Sequence, residues 1–194
     1  MERREFLQAV GAMGLAATTG LAVSRIVSGG EEAEMSPPVP FPPKIDAEKV
    51  RKAALRAFLP EKKTCAESML TAGCEALGLR SPLVPDIGLG LAGGVGLQGE
   101  TCGAILGAAM VLSLTVAGRE PDYAKKKQRV FAAAGKLFKD FQKVHGDTRC
   151  RKLCGLDLTT PEGRKALEGG VKAKTCAKFV ETAARLLAEA MPNA

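Results

Sequence analysis

From residue 45 onward, apolar positions recur at helical spacing, and no alternating pattern long enough for a strand interrupts them. Asp46 can cap a helix that runs to about Leu59, where Pro60 stops it. Thr64 with Glu67 three residues on makes a capping box, opening a helix to about Leu79. The stretch Gly103–Ala117 is apolar except for Ser113 and Thr115, the signature of a helix buried on all sides. Pro121 and Asp122 open a long helix to about Val144. Its predicted stripe is Val130, Ala134, Leu137, Phe141 and Val144, flanked by Phe131 and Phe138, and Gly146 ends it. A short element follows with Cys150 and Cys154, then a short helix from Thr160 and Pro161. The last helix is expected from Val171 to Met191, with Cys176, Val180, Ala183 and Leu187 on one side. The expected fold is all-α, a compact bundle of five or six helices around Gly103–Ala117.

Three regions are expected: an export signal over 1–27, a linker over 28–44, and a helical redox domain over 45–194. The first is read from Arg3-Arg4-Glu5-Phe6-Leu7, which resembles a twin-arginine signal, followed by the modestly apolar stretch Ala9–Val23. That route implies a periplasmic or other extracytoplasmic location and a protein folded before export. No clear A-x-A cleavage site follows, so an uncleaved signal would be the only attachment to a membrane. The linker contains Gly29-Gly30, acidic residues at 31, 32 and 34, and five prolines between Pro37 and Pro43, which favour extended geometry.

The chain has 194 residues and a net charge of +7, with much of the excess between Arg119 and Lys152. The phenylalanines in that stretch follow a helical stripe and do not interleave with the basic residues, so nothing there points to nucleic acid. A solvated helix face is the plain explanation, and electrostatic docking of an acidic protein partner is the functional one. The run Gly88-Leu89-Gly90-Leu91-Ala92-Gly93 matches a dinucleotide fingerprint in letters only, because no strand precedes it. Glycines there can instead admit a close helix or aim backbone N–H groups at an anion. His145 is the sole histidine, placed to cap a helix end and lacking the companions that hydrolase chemistry needs.

The chemistry therefore rests on six cysteines: Cys65, Cys74, Cys102, Cys150, Cys154 and Cys176. Cys65 and Cys74 are nine residues apart on one helix and face opposite ways. Cys65 and Cys102 each sit at a helix start, where the dipole favours a thiolate. Cys150 and Cys154 share a face if their element is helical. An even count in an exported chain also permits structural disulfides, and four cysteines could bind zinc.

Cys65, then Gly99-Glu100-Thr101-Cys102-Gly103-Ala104-Ile105-Leu106-Gly107, then Cys150 and Cys176 resemble the pattern of a family of redox-active proteins named for its C…GCAxxG…C…C motif. The similarity spans about Lys62 to Leu187. The order here is Cys102-Gly103-Ala104, where the family name has Gly-Cys-Ala. A similar domain in split-Soret cytochrome c holds an iron–sulfur cluster. The resemblance implies that Cys65, Cys102, Cys150 and Cys176 bind such a cluster, of 2Fe-2S or 4Fe-4S type, and carry electrons to a redox partner. It leaves Cys74 and Cys154 outside the set, free to pair with each other as a disulfide. No CxxCH motif is present, so haem attachment is not implied. A homodimer would suit a cluster at an interface. The alternative is a disulfide-stapled or zinc-binding helical module that meets an acidic partner.

Overall fold

The computed structural model describes residues 44–191. The expected signal, and all of the linker except Lys44, lie outside them. Seven α-helices follow in order: α1 Ala47–Phe58, α2 Cys65–Leu77, α3 Gly103–Ala117, α4 Tyr123–His145, α5 Cys150–Cys154, α6 Pro161–Ala166 and α7 Ala177–Ala190. A 3-10 turn, Asp86–Leu91, lies between α2 and α3, and a π-helical segment, Leu167–Cys176, joins α6 to α7. Among the described residues there is no strand, only an isolated antiparallel bridge between Thr101 and Arg149. No helix among them is long and apolar enough to cross a membrane.

Local chemistry sets the helix boundaries. Asp46 Oδ1 accepts from the N–H groups of Glu48 and Lys49 at 2.9 and 3.1 Å. Thr64 and Glu67 form the reciprocal capping box: Thr64 N–H donates to Glu67 Oε2 at 2.9 Å, and Glu67 N–H donates to Thr64 Oγ1 at 3.3 Å. Gly78 and Gly146 end α2 and α4 in the left-handed conformation.

Helix α3 is the hub, packed on α2, α4, α7 and the 3-10 turn. Val111, Leu112, Thr115 and Val116 are fully buried, and the Thr115 hydroxyl donates to Val111 O at 2.9 Å, so the hydroxyl is satisfied. Leu114 reaches the surface, so the helix is covered on most of its circumference but not all of it. The core is completed by Val50 and Phe58 of α1, Met69 and Leu70 of α2, Leu137 and Phe141 of α4, and Val180 and Leu187 of α7.

Glycines set how near α2 and α3 come. A Cβ on Gly107 would lie 2.6 Å from the Ala66 carbonyl oxygen, and one on Gly103 would lie 2.5 Å from Cys65 Sγ. On the facing side, a Cβ on Gly73 would lie 2.4 Å from Val111 Cγ2. Only missing side chains allow this approach, and it brings the first turns of α2 and α3 together.

Two expectations need correction. On α4 the buried line is Ala133, Leu137 and Phe141; Val130 and Ala134 are half-buried, while Phe131 and Val144 are 65% and 53% exposed. With 23 residues against the 15 of α3, α4 is about 34 Å long over a helix of about 22 Å, so part of it runs past α3, while His145 at its C-terminal end packs on Phe179 of α7. The last helix is also not a single regular element from Val171. The chain is helical from Pro161, passes through the π-helical turns, kinks at Gly170 (φ +136°), and becomes α-helical at Ala177.

Substituting Gly107→Ala should lower stability by about 1–3 kcal/mol, because the rigid Ala66 backbone must move. Gly135→Ala on α4 has open space and should raise stability by about 0.5–1 kcal/mol. Thermal unfolding of the two variants beside the parent checks both signs.

Candidate functional site

Five of the six cysteines line one cavity of about 330 Å³: Cys65, Cys102, Cys150, Cys154 and Cys176. They arrive from four places in the chain: the start of α2, the residue before α3, both ends of α5, and the end of the π-helical segment. The rest of the wall is mostly apolar, including Phe58, Leu97, Leu153, Leu158 and Phe179. Arg164 and Lys172 lie on the side formed by α6 and the π-helical segment. Arg164 Nη1 donates to the carbonyls of Leu158 and Thr159 at 3.0 and 2.8 Å. Lys172 Nζ stands 5.1 Å from the Phe58 ring centroid and 4.0 Å from Glu168.

Two pieces of backbone hold the thiols in place. The first is the bridge between the segments before α3 and α5. Cys102 N–H donates to Thr148 O at 2.8 Å, Cys150 N–H to Glu100 O at 2.6 Å, and Arg151 N–H to Gly99 O at 2.9 Å. This short antiparallel contact ties Cys102 to Cys150 through main chain alone. The second is the glycine-rich loop. Gly93, Gly94, Val95, Gly96 and Leu97 all have φ between +59° and +73°, a run of left-handed residues. Each non-glycine member costs about 1–2 kcal/mol. Internal bonds hold the turn, with Gly96 N–H donating to Gly90 O at 2.8 Å and Gly99 N–H to Gly93 O at 3.0 Å. The turn places the Leu97 side chain on the cavity and the Gly93 N–H against Cys65 Sγ.

The thiols differ in their preference for charge. The Cys102 thiol donates to Cys65 Sγ, and N–H groups of Gly93, Ala66 and Cys65 itself also point at that sulfur; together they outweigh burial and lower Cys65 from 9.0 to about 7. Cys102 is pushed well above the usual thiol range, first because it is the donor to Cys65, then by burial and the nearby Cys65 charge. Burial, and then the neighbouring Cys154 and Cys65, also push Cys150 far up. The same causes push Cys176 up to about 12. One thiolate is thus stabilised, and further negative charge is resisted.

All six cysteines are free thiols. The expected bridge between Cys74 and Cys154 is therefore absent: Cys154 turns to the cavity beside Cys150, whereas Cys74 is buried near the end of α2 and burial alone raises its pKa. Cys65 and Cys74 do face opposite ways, and Cys65, Cys102, Cys150 and Cys176 do share one site. Sequence reasoning missed that Cys154 belongs there too, although its spacing of four from Cys150 carried the signal. His145 does not line the cavity. Its ring packs between Phe141 and Phe179 with centroids at 4.6 and 4.9 Å, and Nε2 lies 2.9 Å from Thr182 Oγ1. The Gly88–Gly93 run is a 3-10 turn leading into the left-handed loop, not a strand-to-helix turn. Among the described residues, no three Cys, His, Asp or Glu side chains converge tightly enough to form a ready-made metal group.

The family model described as "Putative redox-active protein (C_GCAxxG_C_C)" matches residues 63–190, and the chain belongs to that family. It is also similar to an uncharacterized protein of Archaeoglobus fulgidus, with 28% identity over 128 residues, covering 62% of this chain and 84% of the relative. No solved structure matches the chain.

In metal-free protein, alkylation of Cys65 should accelerate as pH rises through about 7, because the thiolate is the nucleophile. Replacing its donor, in Cys102→Ala, should shift that midpoint upward towards 9.0. Iodoacetamide labelling followed by peptide mass spectrometry measures both.

Proposed function

We propose that this protein is an exported electron carrier in which Cys65, Cys102, Cys150 and Cys176 hold an iron–sulfur cluster of 2Fe-2S or 4Fe-4S type. The gathering of free thiols from separate elements around one largely apolar cavity carries this reading. These residues fit such a group. The donors are all sulfur, Gly103 leaves open the space beside Cys65 Sγ that a side chain would fill, and the Gly93 N–H is aimed at the same sulfur. A bound cluster would supply one-electron redox chemistry. The chain's own contribution is to fix the thiols, exclude water with Phe58, Leu153, Leu158 and Phe179, and donate N–H groups to sulfur. A cationic core would also offset the resistance of Cys102, Cys150 and Cys176 to ionising together.

The export reading rests on the Arg3-Arg4 start, and insertion before export would shield these thiols from oxidation. For the partner, the outer face of α4 presents Lys127, Lys136, Lys139 and Lys143 around exposed Phe131, with Lys127 Nζ 5.7 Å from its ring centroid. That combination suits an acidic redox protein with an apolar contact at its centre.

Anaerobically purified protein should be brown, should bleach with dithionite, and should contain iron and acid-labile sulfide. Each of C65S, C102S, C150S and C176S should remove most of the iron, and C74S should retain it. Colourless protein without iron overturns the proposal, and stoichiometric zinc in the same sample would favour a zinc module.

A further inference from the structure

Cys154 is left over when the family pattern is satisfied, yet it faces the cavity that the other four share. It sits one helical turn from Cys150, at the opposite end of the five-residue helix α5. In an α-helix such residues have Cα atoms about 6.2 Å apart, from the rise and radius of the helix. Disulfides span about 4.4–6.8 Å between Cα atoms but need Cβ atoms about 3.5–4.5 Å apart, against about 5–6 Å on a regular turn, so closing this pair must loosen the five-residue helix, which already ends at left-handed Gly155. The Cys154 sulfur is within hydrogen-bonding reach of Cys150. Cys150 is buried and Cys154 is half-buried, so the outer thiol is the one a small molecule meets first. The other touching pair, Cys65 and Cys102, lies under the glycine loop and against Gly103.

From this placement we infer that Cys150 and Cys154 form an intrahelical dithiol that closes to a disulfide when the cavity is not loaded. The oxidant is a low-molecular-weight disulfide. The Cys154 thiolate attacks one of its sulfurs, forming a mixed disulfide and releasing the first small thiol. Cys150, losing its proton, attacks Cys154 Sγ, which forms the protein disulfide and releases the second small thiol. Two protein thiols are oxidised and one small disulfide is reduced to two thiols, so electrons and atoms balance. The closed form removes the Cys150 thiolate as a ligand and prevents loading until a reductant reopens it. Resting on the cluster reading in this last respect only, the device makes α5 a redox latch on cofactor insertion.

The test uses metal-free, fully reduced protein treated with oxidised glutathione, then alkylated and digested with trypsin. Trypsin cuts after Arg149, Arg151, Lys152 and Arg164, so the bridge appears as the dipeptide Cys150-Arg151 joined to the peptide Leu153–Arg164. That species should become the main form of both peptides, and it should vanish in C154S and persist in C74S. Alkylated Cys150 and Cys154, a lasting glutathione adduct on Cys154, or a link from Cys150 to any other cysteine overturns the inference. A second arm loads the protein with iron and sulfide first, and bridge formation should then fall in proportion to the fraction loaded. If the bridge forms in unloaded protein but loading does not slow it, the dithiol stands, the latch on insertion is overturned, and Cys150 is not a ligand.

Discussion

The site depends on how closely α2 and α3 approach. Their first turns meet backbone to backbone because Gly103 and Gly107 carry no Cβ where Cys65 Sγ and the Ala66 carbonyl lie. At ordinary helix spacing of about 8–10 Å, side chains would stand between these turns. Here the two N-terminal ends converge, so the Cys65 and Cys102 sulfurs share a hydrogen bond, and each is addressed by amides at its own helix start, Cys65 and Ala66 for one and Ala104 for the other. Everything else at the cavity is arranged around that contact. The glycine loop closes over it, α5 is tied to its flank by main-chain bonds, and the π-helical segment completes the wall.

Charge explains why the gathering is informative. Five thiols in an apolar wall are tolerable as neutral groups, but ionising several of them would set like charges together away from water. The protein concentrates its donors on one sulfur. The amides at the start of α2 and the Gly93 N–H address Cys65, and only the Ala104 amide favours a charge on Cys102. An arrangement built only for core packing would have no reason to aim amides at a sulfur through a strained loop.

The helices were legible because their signals are local. Asp46, the Thr64–Glu67 pair, Asp122 and Gly146 act within one turn of themselves, and each cap forms where it was read. The central helix was legible from its uniform apolarity. What could not be read was what depends on neighbours: which line of α4 is buried is decided by the shorter helices beneath it, and the kink at Gly170 falls within a segment whose Leu167, Lys172 and Cys176 line the cavity. The cysteine set shows the same divide. Family pattern identified four members of the cavity, but Cys154 joins them through the turn of α5, and whether a segment as short as CRKLC is helical depends on its pairing with Gly99 and Glu100.

The antiparallel bridge between Thr101 and Arg149 is also a loop closure. It encloses all of α3 and α4, a loop of roughly 50 residues whose closure costs about 3 kcal/mol in chain entropy. Cys65 and Cys102 are joined by a loop of comparable length, closed where α2 packs on α3. The two walls of the cavity thus carry similar chain-entropy costs, and Cys150 and Cys154 keep their places against Cys102 only while the whole α3–α4 hairpin stays docked.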